Sequence, residues 1–394
     1  MLQTYLDQAI DWRRELHRHP ELSFEENETV AYIERELAGL RHASFRRLTP
    51  TSLVVAFKTG RPGARIGLRA DIDALAVPED RPDLDFASQV PGKSHACGHD
   101  GHTAVLMAAC RWFDDHIDRL DGEIHAIFQH AEELPPGGAR EMVATGYFDD
   151  FDFIYGHHLM STLPTGQIDI KDGPGSANSD LYEIVLHGQG GHASMPEATV
   201  DPLVAAAQFV ANMQAIVARR VAPRAPAVLS NTVLLAGHPA ALNVIPHTAR
   251  LGGSVRTTDE ATRALVRSAL EDHLKALCLA HPGLRYELDY RIGYDGVWND
   301  PAKTAIVREL ARARWGDAVI SQPAMLGGED FSAFSRRVTA TYAIIGSGSA
   351  GFDYPHHHPK FALDEGSFGM ALQMMIDVGC NGRRFAGNAR PYPT

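Results

Sequence analysis

The spacing of apolar and polar positions changes character twice along this 394-residue chain. Residues 52–58 and 65–70 form short apolar runs separated by a Gly- and Pro-containing break, and they predict two strands. Over residues 102–117 the apolar side chains Val105, Leu106, Ala109 and Phe113 recur on one face, which predicts a helix. Residues 124–129 and 153–155 again read as strands, and the opening stretch MLQTYLDQAIDWRRELHRHPEL reads as an amphipathic helix. Strands alternating with helices predict an α/β sheet, in which reactive side chains gather just beyond the carboxyl ends of the strands. Asp71, Glu132 and His158 each follow such a run.

Between residues 177 and 290 the order becomes strand 181–187, helix 200–219, strand 227–236, strand 248–257, helix 260–279, strand 284–290. This βαββαβ order is the split arrangement of a ferredoxin-like domain. A helix over 301–315 and a strand over 340–345 then return the chain to the first domain. The predicted organisation is therefore a first domain built from residues 1–176 and 291–394, interrupted by an inserted domain at 177–290.

The length calls for two cores, and 44% hydrophobic with 22% charged residues suits ordinary globular domains. A net charge of −12 supplies no sustained cationic surface, so neither nucleic acid nor an anionic membrane is an expected partner. The chain carries no apolar stretch long enough to span a bilayer and no signal-like start, so a cytoplasmic location is expected. Four cysteines without paired spacing argue against a disulfide framework.

Candidate chemistry is densest in His95-Ala96-Cys97-Gly98-His99-Asp100-Gly101-His102, where a thiol and imidazoles crowd one turn that two glycines allow to bend. Gln129-His130-Ala131-Glu132-Glu133 ends an apolar strand with two carboxylates pointing different ways, so that one can hold a metal while the other moves protons. Gly156-His157-His158-Leu159 and Tyr354-Pro355-His356-His357-His358-Pro359 each offer a neutral imidazole ligand, and a lone histidine in such a place is more often a satisfied polar residue. Asp71 and Asp73 can orient ligand histidines, or cap a turn. In the inserted segment His192 sits in a glycine loop suited to reaching over a substrate, and Asn243 and Arg256 are polar candidates for substrate contacts.

Taken in order, RRELHRHPELSFEE, LRADIDAL, HACGHDGH, QHAEE, GHHL, GGHASMP, NVIP, GGEDF and HHPKF span nearly the whole chain. Together they resemble the metal-dependent amidohydrolase and peptidase family of hippurate hydrolases, aminoacylases, indole-acetyl-amino-acid hydrolases and glutamate carboxypeptidases, with the hippurate hydrolase branch nearest. The resemblance implies a zinc-peptidase-like catalytic domain with a mixed central sheet and a ferredoxin-like lid and dimerisation domain. It implies two divalent metal ions per subunit (Zn, Mn, Co or Ni) held by Cys97, His99, Glu133, His158 and His357. Glu132 would be the general base, Asp73 an orienting acid, Asn243 a substrate contact, and His192 a lid histidine acting in the partner subunit of a homodimer or higher homo-oligomer. The implied reaction is hydrolysis of the amide bond of small N-acyl amino acids or related conjugates.

The sequence departs from the family pattern at Ala76, where a proline is usual, and at His157, where an apolar residue is usual. The run His356-His357-His358 leaves the register of the last ligand to Pro359-Lys360-Phe361, and Leu159 sets that of His158. Two rival readings compete: an amidase with Cys97 as nucleophile beside His99, and a non-catalytic metal- or ligand-binding protein of the same fold.

Overall fold

The computed structural model describes residues 2–387, which divide into two compact units. Among the described residues the first comprises 2–175, 297–323 and 330–387, and the second 176–296 with 324–329. The inserted unit thus extends further than the expected 177–290. Its last strand, Arg285–Tyr294, continues through Arg291, Ile292, Gly293 and Tyr294, and Tyr294 still pairs with Ser179. A separate return is fixed by the Ala177 amide donating to the Gly327 carbonyl at 3.1 Å.

The first unit is built on an eight-stranded mixed sheet in the order Ala43–Arg46, Leu53–Lys58, Glu123–Gln129, Arg65–Asp71, Phe153–Pro164, Ala340–Gly348, Ile168–Asp169, Val319–Ile320. Its centre is parallel: Arg65–Asp71 runs alongside both Glu123–Gln129 and Phe153–Pro164, which runs alongside Ala340–Gly348. Buried Ile66, Leu68, Ile124, Ala126, Phe128, Phe153 and Tyr155 make this centre apolar, as strands covered on both faces require. The ends of Arg65–Asp71 and Glu123–Gln129 deliver Asp71 and the Glu132 loop to one edge.

The helix His99–Asp115 is buried nearly all round, with Ala104, Ala108 and Ala109 letting the helices Gln3–Arg18 and Phe368–Cys380 approach closely. It begins three residues before the predicted start because Gly98 turns the chain at φ 88°, a left-handed conformation glycine adopts without strain. His99 therefore opens a helix instead of sitting in a loop. The strand Phe153–Pro164 outruns the predicted 153–155, so His158 lies within it; the paired histidines break the apolar pattern but not the ladder.

In the second unit the strand order is Ala227–Ala236, Thr248–Thr257, Asn178–His187, Arg285–Tyr294, all antiparallel. The helices Pro202–Arg219 and Glu260–Ala280 bury Phe209, Met213, Ile216, Val266, Leu270 and Leu274 with Ile184, Leu186 and Leu251 of the sheet. Asp201 and Asp259 cap the two helices by accepting amide N–H groups of the first turn, each worth about 1 kcal/mol. Connectivity and strand order together are those of a ferredoxin-like unit.

Candidate metal centre

Five donor groups from four separated segments of the first unit meet at the carboxyl ends of its central strands. The Cys97 sulfur lies 3.4 Å from Nε2 of His158. One triad of possible ligand atoms is Cys97, His99 and His158, and a second is Cys97, Glu133 and His357. Cys97 is common to both. The backbone ties the last segment in place, since the His357 amide donates to the Ala96 carbonyl at 2.8 Å. His357 itself is held at φ 67°, a strained conformation for a residue with a side chain and one that tends to persist at functional sites.

Asp73 organises the centre. Its Oδ1 lies 3.0 Å from Nδ1 of His99, and its Oδ2 accepts from the Glu133 amide at 3.0 Å and from the Ser23 hydroxyl at 2.7 Å. With Nδ1 of His99 turned to Asp73, Nε2 faces inward, buried and without a hydrogen bond. Oε1 of Glu133 is likewise buried without one, 3.9 Å from that nitrogen and 3.2 Å from Nε2 of His357. Such groups are rarely left unmatched in a protein interior. A cation between them satisfies both, and a set of one thiol, imidazoles and carboxylates suits a borderline divalent ion.

The electrostatics point the same way. Burial alone would lower the pKa of His99, yet Asp71, Asp73 and Glu133 outweigh it and lift the imidazole to about 10. Burial pushes the Cys97 thiol up, and Glu133, Glu132 and Asp71 push it further. Burial dominates at His158 and holds it well below the ordinary range, as a neutral ligand needs. The carboxylates of Asp71, Asp73 and Glu133 thus favour positive charge at the centre.

Asp71 acts differently from Asp73. It lies 2.6 Å from Nδ1 of His102, whose Nε2 accepts from the Leu159 amide at 2.8 Å. Among the register alternatives, His158 and His357 supply donor atoms to the triads, whereas Nε2 of His356 accepts from the Ser161 amide and His157 is buried beside Tyr155. Glu132 is 7% exposed and clusters with His99 and Glu133, outside the two triads that share Cys97.

His192 and Asn243 belong to the second unit, where two short strands bring them together. His192 pairs with Val244, and the Ala193 amide donates to the Asn243 carbonyl at 2.9 Å. Nδ1 of His192 accepts the Ser194 amide, so the neutral ring carries its proton on exposed Nε2. Arg256 is partly buried in the same unit and donates to the Ser179 hydroxyl.

A buried network beneath the centre has no counterpart in the sequence reading. Arg69 donates to Gln129 at 2.7 Å, to Asp71 at 2.7 Å and to Asp330 at 3.0 Å, locking two strand ends together. The signal available for it was an arginine inside the apolar run of a central strand, a place where charge survives only when paired.

Residues 67–376 match the family model Peptidase family M20/M25/M40. The chain belongs to this family. It is 44% identical over 291 residues to the N-acyl-L-amino acid amidohydrolase of Geobacillus stearothermophilus, covering 74% of this chain and 78% of that one. To the N-acetylcysteine deacetylase of Bacillus subtilis it is 35% identical over 374 residues, covering 94% and 95%. Among solved structures, a dinuclear metal-binding peptidase of the M20 family from Bacillus subtilis superposes with a TM-score of 0.82 at 31% identity, covering 96% of this chain and 98% of that one. The mixed sheet of the first unit is thus the M20 peptidase fold, and the Cys97 centre lies within the matched region.

Proposed function

We propose that this M20-family protein is a metal-dependent amidohydrolase that cleaves the amide bond of small N-acyl amino acids or related small conjugates. The observation that carries the reading is the pair of donor triads sharing Cys97, with the carboxylate of Glu132 beside them and outside both. Cys97, His99, Glu133, His158 and His357 would hold two divalent ions. Relatives named for acting on N-acyl amino acids and N-acetylcysteine support the substrate class, and the dinuclear neighbour supports two ions.

When bound, a pair of divalent ions supplies Lewis acidity that makes water nucleophilic at neutral pH and polarises the amide carbonyl. Glu132 accepts the proton of the attacking water on its carboxylate and returns it to the leaving nitrogen. Asp73 keeps His99 in the tautomer that presents Nε2 inward and fixes the Glu133 backbone. His192, carrying its proton on Nε2, donates to the oxyanion of the tetrahedral intermediate, and Asn243 and Arg256 contact the carboxylate end of the substrate.

The catalytic unit is taken to be a homodimer, with the ferredoxin-like unit as lid and dimerisation domain and His192 serving the partner's site. The exposed apolar residues Val228, Val233, Leu234 and Leu235 on the edge strand Ala227–Ala236 support an interface there. The reading is tested by release of free amino acid from N-acetyl, N-benzoyl and indole-acetyl amino acids and from short dipeptides. Metal-reconstituted protein is assayed before and after chelation, and turnover that survives complete removal of metal contradicts the reading.

A further inference from the structure

Glu26 is a fully buried carboxylate at the start of the helix Asn27–Leu37, and the chemistry described above does not use it. It does not cap its own helix, because its side chain makes no bond to the first-turn amides. Instead its Oε1 accepts the Ala131 amide at 2.7 Å, across 105 residues of sequence. Its Oε2 is buried with no hydrogen-bond partner. Burial, with a contribution from Asp73, lifts this acid to about 8, and with a proton on Oε2 the group still offers Oε1 as acceptor to the Ala131 amide.

The residue it grips is unusual. Ala131 has φ 49°, a left-handed conformation that costs of order 1–3 kcal/mol for a residue with a Cβ and survives only where its surroundings impose it. Those surroundings are two bonds: Glu26 takes the Ala131 amide, and the Ala131 carbonyl accepts from Gly138 at 3.0 Å. Glu132 is the next residue. Three residues before Glu26, Ser23 bonds Asp73, the acid that orients His99 and holds the Glu133 amide. The segment 23–26 thus braces two supports of the centre at once, while contributing no donor to either triad.

We propose that Glu26 is a positioning residue for Glu132: its bond to the Ala131 amide holds the left-handed turn from which the Glu132 carboxylate projects. The proposal rests on Glu132 being the group that moves the proton. Misplacing a reacting group by an ångström can cost about a hundredfold in rate, whereas substrate held by other residues binds nearly as before. The loss therefore falls on kcat and spares KM.

The test compares Glu26→Met, Glu26→Gln and Glu132→Gln in the metal-reconstituted enzyme, with metal content, thermal unfolding, kcat and KM measured for each. Glu26→Met fills the space and removes the acceptor; kcat is expected to fall by about ten- to a hundredfold with KM within about twofold and metal content unchanged. Glu26→Gln keeps an oxygen for the Ala131 amide and is expected to hold kcat within about threefold of the parent enzyme. Parental kcat in Glu26→Met overturns the proposal, as does a loss expressed in KM or in metal content. A deficit in Glu26→Gln equal to that of Glu26→Met also overturns it, because the acid itself would then matter and not the bond. Should Glu26→Met unfold, Glu26→Asp takes its place, one methylene too short to reach Ala131; parental kcat there overturns the proposal. The control separates the two ideas: active Glu132→Gln defeats the general-base reading, whereas inactive Glu132→Gln beside fully active Glu26→Met defeats only the positioning role.

Discussion

His102 turns Nδ1 toward Asp71 at 2.6 Å and is bound on its other nitrogen, which accepts the Leu159 amide at 2.8 Å. Both ring nitrogens are engaged, so this histidine is a strut between the end of the strand Arg65–Asp71 and the strand that carries His158. It differs in kind from His99, three residues earlier, whose Nε2 has no hydrogen bond. His102→Ala is expected to keep two metal ions per chain while losing about 1–3 kcal/mol of stability, the usual cost of stranding buried partners. Metal analysis beside denaturant unfolding checks this, and a fall to one ion per chain would make His102 a ligand after all.

Glu132→Gln removes the proton acceptor and preserves the size of the side chain. Because Glu132 stands outside both triads that share Cys97, metal content should stay at the parental level. Turnover should fall by about 10²–10⁴-fold, the range that general acid–base groups supply. Glu133→Gln should instead lower metal content, since its Oε1 is one of the unmatched atoms at the centre. Similar metal loss in both variants would show that the two carboxylates share the ligand role.

A Cys97 nucleophile predicts another pattern. The sulfur does face His158, but burial and the neighbouring carboxylates raise its pKa, which disfavours the thiolate a nucleophile requires. Chelation should abolish activity and added divalent ion should restore it. Alkylation of the metal-loaded enzyme should proceed slowly at Cys97, because the thiol is buried. Activity that survives chelation and is lost on alkylation reverses the assignment.

Much of the centre was legible because its chemistry is concentrated in short runs. His95 to His102 and Gln129 to Glu133 each pack several donors beside a strand end or helix start, and the ordered motifs carried the family. The resemblance singled out Asp73 as an orienting acid, but the residues themselves left Asp71 and Asp73 equivalent, and the role of Asp71 emerges only where it is seen on His102 while Asp73 lies on His99. Arg69 was hidden for a different reason, since its partners Gln129 and Asp330 lie 60 and 261 residues away and only the fold joins them. Ser23 and Glu26 precede a helix, where short polar and acidic residues ordinarily signify capping. Local pattern captures groups that act together in sequence and misses those that act on a distant backbone amide.

Glu26 also makes a prediction about stability. Its folded pKa is raised from 4.5 to about 8 by burial, so between those values the folded state holds a proton that the unfolded chain has released. Stability falls with pH wherever the folded state binds more protons, so this group's contribution declines from about pH 4.5 to about pH 8 and then levels off. Glu26→Gln cannot ionise and escapes that decline. The stability of Glu26→Gln relative to the parent should therefore rise across this window, as read by denaturant unfolding at matched pH. A difference that is flat with pH would mean that Glu26 is ionised in the folded protein.

Whether His192 serves its own chain or a partner can be decided by mixing two inactive proteins. Its Nε2 proton is positioned for donation by the Ser194 contact, and the loop that carries it pairs with the segment holding Asn243, so His192→Ala should lose turnover without losing metal. Glu132→Gln has the complementary defect. If His192 acts across the dimer, a mixed dimer contains one site with an intact Glu132 and an intact histidine from the other chain, and one site lacking both. Random re-association gives half mixed dimers, so an equal mixture should recover about a quarter of parental activity. If His192 acts within its own chain, every site in every dimer carries one of the two defects and the mixture stays inactive. Charge on the apolar edge strand provides the companion measurement: Leu234→Lys with Leu235→Lys should shift sedimentation toward monomer, and under the trans arrangement activity should fall in step. A fully active monomer would remove both the dimer interface and the partner's histidine from the mechanism.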